Sequence, residues 1–330
     1  MSKTYLILGG GGSFGIQAAK YILENEPGSR VISIGRNPLR SKAFNLGISD
    51  FSNFSYHSYH LYYEMDLLLE LLDSVQPEVI INFAAQGEGA VSWKNSWRFF
   101  ETNSVALTKF CEELMKRDWL ERFIQIGTSE MYGSVSRPSK ETDPILPSSP
   151  YAASKVAFDM YLQSISKHCD FPMNIIRPCN AYCPGQLLHR VIPKTIVGAM
   201  LGNKLPLHGG GQAEKSYIHA YDLGRAIFLV SKSETLGEIF NVGSETPTSI
   251  ADVVRKCAEA LNMSFEEVCE LAPDRLGQDS RYWLDNSKIK QAVGWEQSIF
   301  WEQGLEDMVK WAEENIDELR DVTTDYVMRG

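Results

Sequence analysis

The sequence predicts a doubly wound α/β protein, a parallel sheet covered by helices on both faces, with a smaller mixed α/β lobe attached. Three observations carry this. Short β-type runs alternate with helical stretches through the first half of the chain. A glycine-rich turn separates the first such run from the first helix. After Pro178 the pattern loosens and Gly and Pro cluster. Strands separated by helices imply right-handed crossovers and therefore parallel pairing.

Strands are expected over 5–8 (YLIL), 31–34 (VISI), 54–59 (FSYHSY), 79–83 (VIINF) and 123–127 (FIQIG). Helical patterns fill the gaps at 15–26, 65–75 and 96–117, and a further helix is expected over 151–168, followed by a strand over 173–177. VIINFAA is apolar nearly throughout, as a strand buried on both faces should be. Gly and Pro cluster at 183–186 and 202–212, and short elements follow. The expected division is one domain of 1–178 plus about 219–243, and a smaller lobe from about 179–218 and 244–330. There are no internal repeats and no low-complexity tract.

With 330 residues, 44% hydrophobic and 22% charged, the chain has the make-up of an ordinary globular protein with a large core. Its formal net charge of −10, without a basic block, argues against nucleic acid or an anionic membrane as the main partner. The leading apolar run, YLIL and its neighbours, is too short for a signal peptide or a membrane span, and no later run is long enough. A cytoplasmic protein is expected. Six cysteines without a CxxC pair predict free thiols and no metal site.

Gly9, Gly12 and Gly15 form GxxGxxG directly after the first strand. In that setting one glycine allows a tight turn, another lets backbone approach a pyrophosphate, and the third lets the helix pack on the sheet. The helix N-terminus at Ser13 and Phe14 then offers N–H groups to phosphate. This predicts a Rossmann-like dinucleotide site in the first domain. The second strand ends Ser33-Ile34-Gly35-Arg36-Asn37, with Arg40 beyond, and has no acid for a ribose 2′-hydroxyl. An Arg pairs with a 2′-phosphate that an acid would repel, so NADP is the preferred expectation and NAD the alternative.

Tyr151 and Lys155 form YxxxK at the start of a helix, four residues apart and hence on one face. Free tyrosine, with a pKa of about 10, is a poor base at neutral pH, and a neighbouring ammonium favours its phenolate. Thr128, Ser129 and Glu130 follow the fifth strand, at the carboxyl edge where open α/β sheets bind ligands. Thr128 is placed to hydrogen-bond a sugar hydroxyl. Proton removal from a carbon next to a ketone needs a base, and Glu130 can supply it.

Together these residues resemble the extended short-chain dehydrogenase/reductase family, over almost the whole chain. Asn103 matches that family's structural Asn, and NFAAQ, with Ala84, Ala85 and Gln86, matches the turn after its fourth strand, which borders the nicotinamide, so the resemblance places all four at the cofactor. TSEMYG resembles the T-[D/S]-E-x-[Y/F]-G loop of sugar-nucleotide dehydratases and UDP-glucuronate decarboxylases. The segment 273–295 is similar to that of dTDP-glucose 4,6-dehydratases, DRxGxDxRYxxDxSKxxxxLGW. Ser129 stands where the dTDP-glucose enzymes have Asp and looks more like the GDP-mannose 4,6-dehydratases, which favour NADP. Lys215 replaces the family's phosphate-binding Arg.

The resemblance implies a nucleotide-sugar 4,6-dehydratase, a lyase. The reaction runs by transient C4 oxidation through Tyr151, C5 deprotonation by Glu130, loss of water, and hydride return to C6. It implies a nucleotide-diphosphate sugar as partner, with Ser92 and Asn180 at the substrate, Leu205, Pro206 and Leu207 at the base, and Arg190, Lys215, Arg275 and Arg281 as candidates for the diphosphate. It also implies a homodimer through the helices near 96–117 and 151–168. The alternatives are a UDP-glucuronate decarboxylase or a 4-epimerase on the same scaffold, or a silent NADP-binding protein. Against the last stand intact Tyr151, Lys155 and Glu130.

Overall fold

The computed structural model describes residues 2–273 and 279–327. The first half runs β1 (Thr4–Leu8), α1 (Ser13–Asn25), β2 (Arg30–Gly35), α2 (Lys42–Asn45), β3 (Phe54–Ser58), α3 (Met65–Val75), β4 (Val79–Asn82), α4 (Ser96–Phe100), α5 (Leu107–Leu114), β5 (Arg122–Ile126), α6 (Pro150–Cys169) and β6 (Met173–Pro178). The second half is β7 (Asn180–Tyr182), α7 (Val191–Met200), β8 (Leu205–His208), β9 (Glu214–Lys215), β10 (Tyr217–His219), α8 (Ala220–Lys232), β11 (Ile239–Val242), β12 (Thr248–Ser249), α9 (Ile250–Ala260), α10 (Phe265–Val268), β13 (Cys269–Ala272), β14 (Arg281–Tyr282), α11 (Ser287–Val293) and α12 (Trp301–Leu319).

Seven strands form one parallel sheet in the order β11-β6-β5-β4-β1-β2-β3. Strand order reverses at β1 and β4, and this opens a crevice at their carboxyl ends. The expected doubly wound α/β class is therefore observed.

The period-two alternation of a strand sorts its side chains onto two layers. Tyr5, Ile7, Val79 and Ile81 join one core with Ile16 and Ile22 of α1 and Leu223, Ile227 and Val230 of α8. Leu6, Leu8, Ile32 and Ile80 join the other with Leu68 and Leu72 of α3, Phe110 of α5 and Phe158 of α6. Each buried Leu or Ile contributes about 1.5–3 kcal/mol of transfer free energy, so packing outweighs helix propensity here. Two further clusters lie under α7, α9 and α12. Leu284, Ile289 and Trp295, late in the chain, pack in the first sheet core.

Element boundaries differ from expectation in two instructive places. The helix read over 96–117 is divided into α4, a π-helical turn over Glu101–Ala106, and α5. The wider turn sets Asn103 inward, where it makes three hydrogen bonds, described below. The strand read to residue 83 stops at Asn82; Phe83 lines the crevice just beyond it, its N–H still donating to the Leu8 carbonyl at 2.8 Å. No described helix is long and apolar enough to cross a membrane.

Candidate active site

The crevice is a cleft of about 680 Å³ between the carboxyl ends of β4 and β5, the start of α6, and the segments that carry α7, β8 and β9. At its floor the glycine turn is as tight as the spacing predicts. Gly9 has φ +73°, and a Cβ there would meet the backbone of Phe83 and Ala84 at 2.6–2.9 Å. A Cβ on Gly15 would strike the Gly9–Gly10 backbone at 2.8 Å. Gly12 is the α1 N-cap and has no side-chain cap bond, so the first-turn amides at Ser13, Phe14 and Gly15 are left for an anion. The turn fits a dinucleotide pyrophosphate.

At the end of β2, Arg36 is half-buried and Arg40 stacks over Phe44 at 5.4 Å. A Cβ on Gly35 would run into the Tyr56 hydroxyl at 2.2 Å, so β3 crowds this end of the dinucleotide site.

Tyr151 and Lys155 lie on the first turns of α6. That helix starts where the Ser149 hydroxyl accepts from the Ala152 N–H, 3.1 Å away, and Pro150 occupies the opening position. Burial raises the Tyr151 pKa and Glu130 adds to the rise, while the Thr128 side chain opposes it. Lys155, 2% exposed, donates through Nζ to the Ile126 carbonyl at 2.7 Å. Burial pushes its ammonium down to about 8, and buried Asp159 pulls the other way. Arg177 holds Asp159 from behind at 3.4 Å.

Thr128 caps the turn that follows β5, its Oγ1 accepting from the Glu130 N–H at 3.2 Å. Ser129 is buried and lines the cleft. Burial pushes the Glu130 carboxyl up to about 7, with Glu88 and Asp279 adding to the rise and Lys215 and Arg190 opposing it. A carboxyl half-ionised near neutral pH can both take and return a proton. Lys215, 6% exposed, donates to the Asp279 carbonyl at 3.1 Å, covers the Tyr282 ring at 3.5 Å, and is pushed by burial to about 8. Thr128, Ser129, Glu130, Tyr151 and Lys155 are thus brought together in one cleft.

Of the other expected site residues, Phe14, Ala85, Asn180, Arg190, Leu205, Pro206, Leu207 and Lys215 line the same cleft. Five do not, and each has a structural reason. Asn103 bolts the β4 turn to α6: its Oδ1 accepts from the Gln86 N–H at 2.7 Å, and its Nδ2 donates to the Gln86 carbonyl at 3.0 Å and to Ser154 Oγ at 2.9 Å. Gln86 turns away to donate to the Tyr326 hydroxyl at 2.9 Å. Ser92 is buried and closes its own turn by donating to the Gly89 carbonyl at 2.7 Å. Arg281 points from β14 away from the cleft and pairs with Glu214 in a separate shallow hollow. Tyr282 takes the cleft side instead, since neighbours on a strand face opposite ways. Ala84 abuts Gly9 and does not line the cleft. Arg275 lies outside the described residues.

The structure adds residues that the sequence reading missed. Glu88 enters the cleft from the β4 turn with φ +78° and pairs with Arg190 at 3.0 Å. A Cβ on Gly89 would meet the Glu130 carboxylate at 3.0 Å, so this glycine makes room for it. The Gly-Glu-Gly run was the available signal, but nothing local says that it faces residue 130. Asp279 and Tyr282 bound the Glu130 end.

A crossover-wound sheet, a glycine cradle at its switch point, and a tyrosine, lysine and carboxylate above it define a dinucleotide-binding α/β scaffold with an acid–base site. The chain belongs to the GDP-mannose 4,6 dehydratase family, whose model matches residues 6–308, and is of the extended short-chain dehydrogenase/reductase type. It is 28% identical over 317 residues to a trifunctional UDP-glucose 4,6-dehydratase/UDP-4-keto-6-deoxy-D-glucose 3,5-epimerase/UDP-4-keto-L-rhamnose-reductase of Arabidopsis thaliana. That match takes in 95% of this chain and 47% of the plant protein, so the chain spans about half the length of that relative. It is 32% identical over 311 residues to the low-salt glycan biosynthesis protein Agl12 of Haloferax volcanii, covering 93% of this chain and 97% of the relative. Its fold is similar to that of a dTDP-glucose 4,6-dehydratase from Streptomyces venezuelae solved with NAD bound, with a TM-score of 0.88, 26% identity, and coverage of 96% of this chain and 98% of that one.

Proposed function

We propose that the chain is a nucleotide-sugar 4,6-dehydratase that yields a 4-keto-6-deoxy sugar nucleotide. The observation that carries this is the Glu130 carboxyl, held at about 7 inside the cleft and electrostatically coupled to Tyr151. An enzyme that only exchanged hydride at C4 would need no carboxyl there. The family membership and the dehydratases among the relatives support the same reading.

A bound nicotinamide supplies the hydride acceptor and donor of such a cycle. The glycine turn (Gly9, Gly12, Ser13, Phe14, Gly15) and Ala85 would hold it, with Lys155 beneath the Tyr151 face. Tyr151 would take the 4-hydroxyl proton as a phenolate, a form that burial alone disfavours and that the positive charge of an oxidised nicotinamide would stabilise. Glu130 takes the C5 proton, made acidic by the 4-ketone, and returns a proton to the departing 6-hydroxyl, because Ser129 is too weak an acid to do so. NADP remains the preferred cofactor in this reading, because Arg36 and Arg40 stand where an acid would read a 2′-hydroxyl. NAD, carried by the Streptomyces relative, is the alternative.

Asn180, Arg190, Lys215 and Leu205–Leu207 form the sugar-nucleotide side, in the lobe of about 179–218 and 244–330. Homodimerisation through the helices near 96–117 and 151–168 fits the apolar side chains exposed on or beside them: Trp97 and Phe100 of α4, Met160 of α6, Val105 of the π-helical turn and Trp93 of the turn before α4. The deciding experiment incubates the protein with UDP-, dTDP- and GDP-hexoses and reads products by mass spectrometry. Loss of one water is expected. Loss of carbon dioxide from a uronate, or isomerisation without mass change, would refute the proposal.

A further inference from the structure

We infer that Glu88 is a specificity-determining residue, a second carboxylate on the hexose side of the cleft that excludes uronic acids and admits neutral hexoses. The inference rests on the nucleotide-sugar reading above and names the substrate class that this site takes.

Glu88 sits in a backbone conformation that side chains rarely adopt, with φ +78° and ψ 91°. Glycine would relieve that strain, and the residues on either side are in fact Gly87 and Gly89. The carboxylate is nevertheless carried here, into the cleft, 3.0 Å from Arg190. The same turn touches Glu130, whose Oε2 lies where a Cβ of Gly89 would meet it at 3.0 Å. Two carboxylates from separate elements therefore converge on the end of the cleft where Tyr151 and Glu130 would handle C4 to C6 of a hexose. Asp279 bounds the same end, so a uronate would add its carboxylate to three already there.

Among the described residues, every lysine and arginine lining the cleft already has a partner, one carboxylate and three main-chain carbonyls. Arg190 is paired with Glu88, Lys155 donates to Ile126, Lys194 to Thr324 at 3.2 Å, and Lys215 to Asp279. His189, 3.8 Å from Glu88, is held neutral by burial, which pushes it down to about 4. If a substrate diphosphate draws Arg190 away, Glu88 loses its counter-charge and disfavours a C6 carboxylate more strongly.

The test is calorimetric titration of the NAD-loaded protein and its Glu88→Gln variant with UDP, UDP-glucose and UDP-glucuronate. The wild type is expected to bind UDP-glucose at least about tenfold more tightly than UDP-glucuronate, and Glu88→Gln to narrow that ratio about tenfold, each affinity being taken relative to that for UDP. Arg190→Gln, which strips Glu88 of its partner, should widen it and serves if the first variant does not fold. An unchanged ratio in both variants, or a wild type that binds the two sugars equally, overturns the inference. Selective binding of UDP-glucose without loss of water supports Glu88 and overturns the dehydratase reading, so the two failures are distinguishable. Absence of binding by UDP-sugars and by dTDP- and GDP-hexoses alike overturns both.

Discussion

In the proposed reaction Glu130, held near 7 by burial, is ionised when it takes the C5 proton, so turnover should fall on the acid side with an apparent pKa close to that value. Glu130→Gln should cost about 10²–10⁴-fold in dehydration while NAD(P) affinity persists; full turnover in that variant would remove Glu130 from the mechanism. Stability offers an independent readout. A folded-state pKa raised above the ordinary carboxylate value stabilises the fold at low pH, and that contribution is lost as pH rises through about 7. Thermal melts of Glu130→Gln should therefore show a gain of about 1–3 kcal/mol over wild type at pH 8 and little change near pH 4. At the far end of the dinucleotide site, Arg36→Ala should weaken NADP about tenfold more than NAD, measured by fluorescence titration of the reduced cofactors; equal losses would exclude 2′-phosphate recognition.

At the scale of elements, the turn after β4 repays comparison with the turn after β1. The glycine turn was legible from spacing alone, because Gly9, Gly12 and Gly15 serve backbone geometry and a helix start, both local in sequence. The β4 turn was not. Asn103 and Gln86 looked like cofactor contacts in a motif, yet they bolt the turn to α6 and to Tyr326. Glu88 and Gly89 were passed over, because their partners, Arg190 and Glu130, are distant in sequence. Gly89→Ala tests that contact. The carboxylate end can yield only a few tenths of an ångström, so kcat should drop about tenfold with little change in cofactor affinity, and steady-state kinetics at saturating cofactor would reveal it. An unaltered kcat would mean that Glu130 has freedom to spare.

For the whole molecule, the apolar face of α4 and α6 is the feature a monomer leaves unexplained. Trp93 and Trp97 are 61% and 59% exposed, and Met160 is 54% exposed. Exposed large apolar groups gathered on neighbouring elements mark an interface. Light scattering should give a dimer for the wild-type chain and a monomer for Trp97→Glu, with cofactor binding retained. A wild-type monomer at micromolar concentration would leave that face without its proposed role.

Sequence by itself determined the sheet, its crossovers, the phosphate turn and the Tyr151–Lys155 helix face, because hydrophobic period, glycine spacing and i,i+4 geometry are properties of short segments. Tertiary structure alone decided which charges face one another: that Arg281 turns away with Glu214, that Arg190 answers Glu88, and that Glu130 is buried enough to titrate near 7. Burial and Coulomb interaction depend on distance in space, and residues 88, 130, 190 and 215 become neighbours only in the folded chain, in the cleft at the carboxyl edge of the sheet.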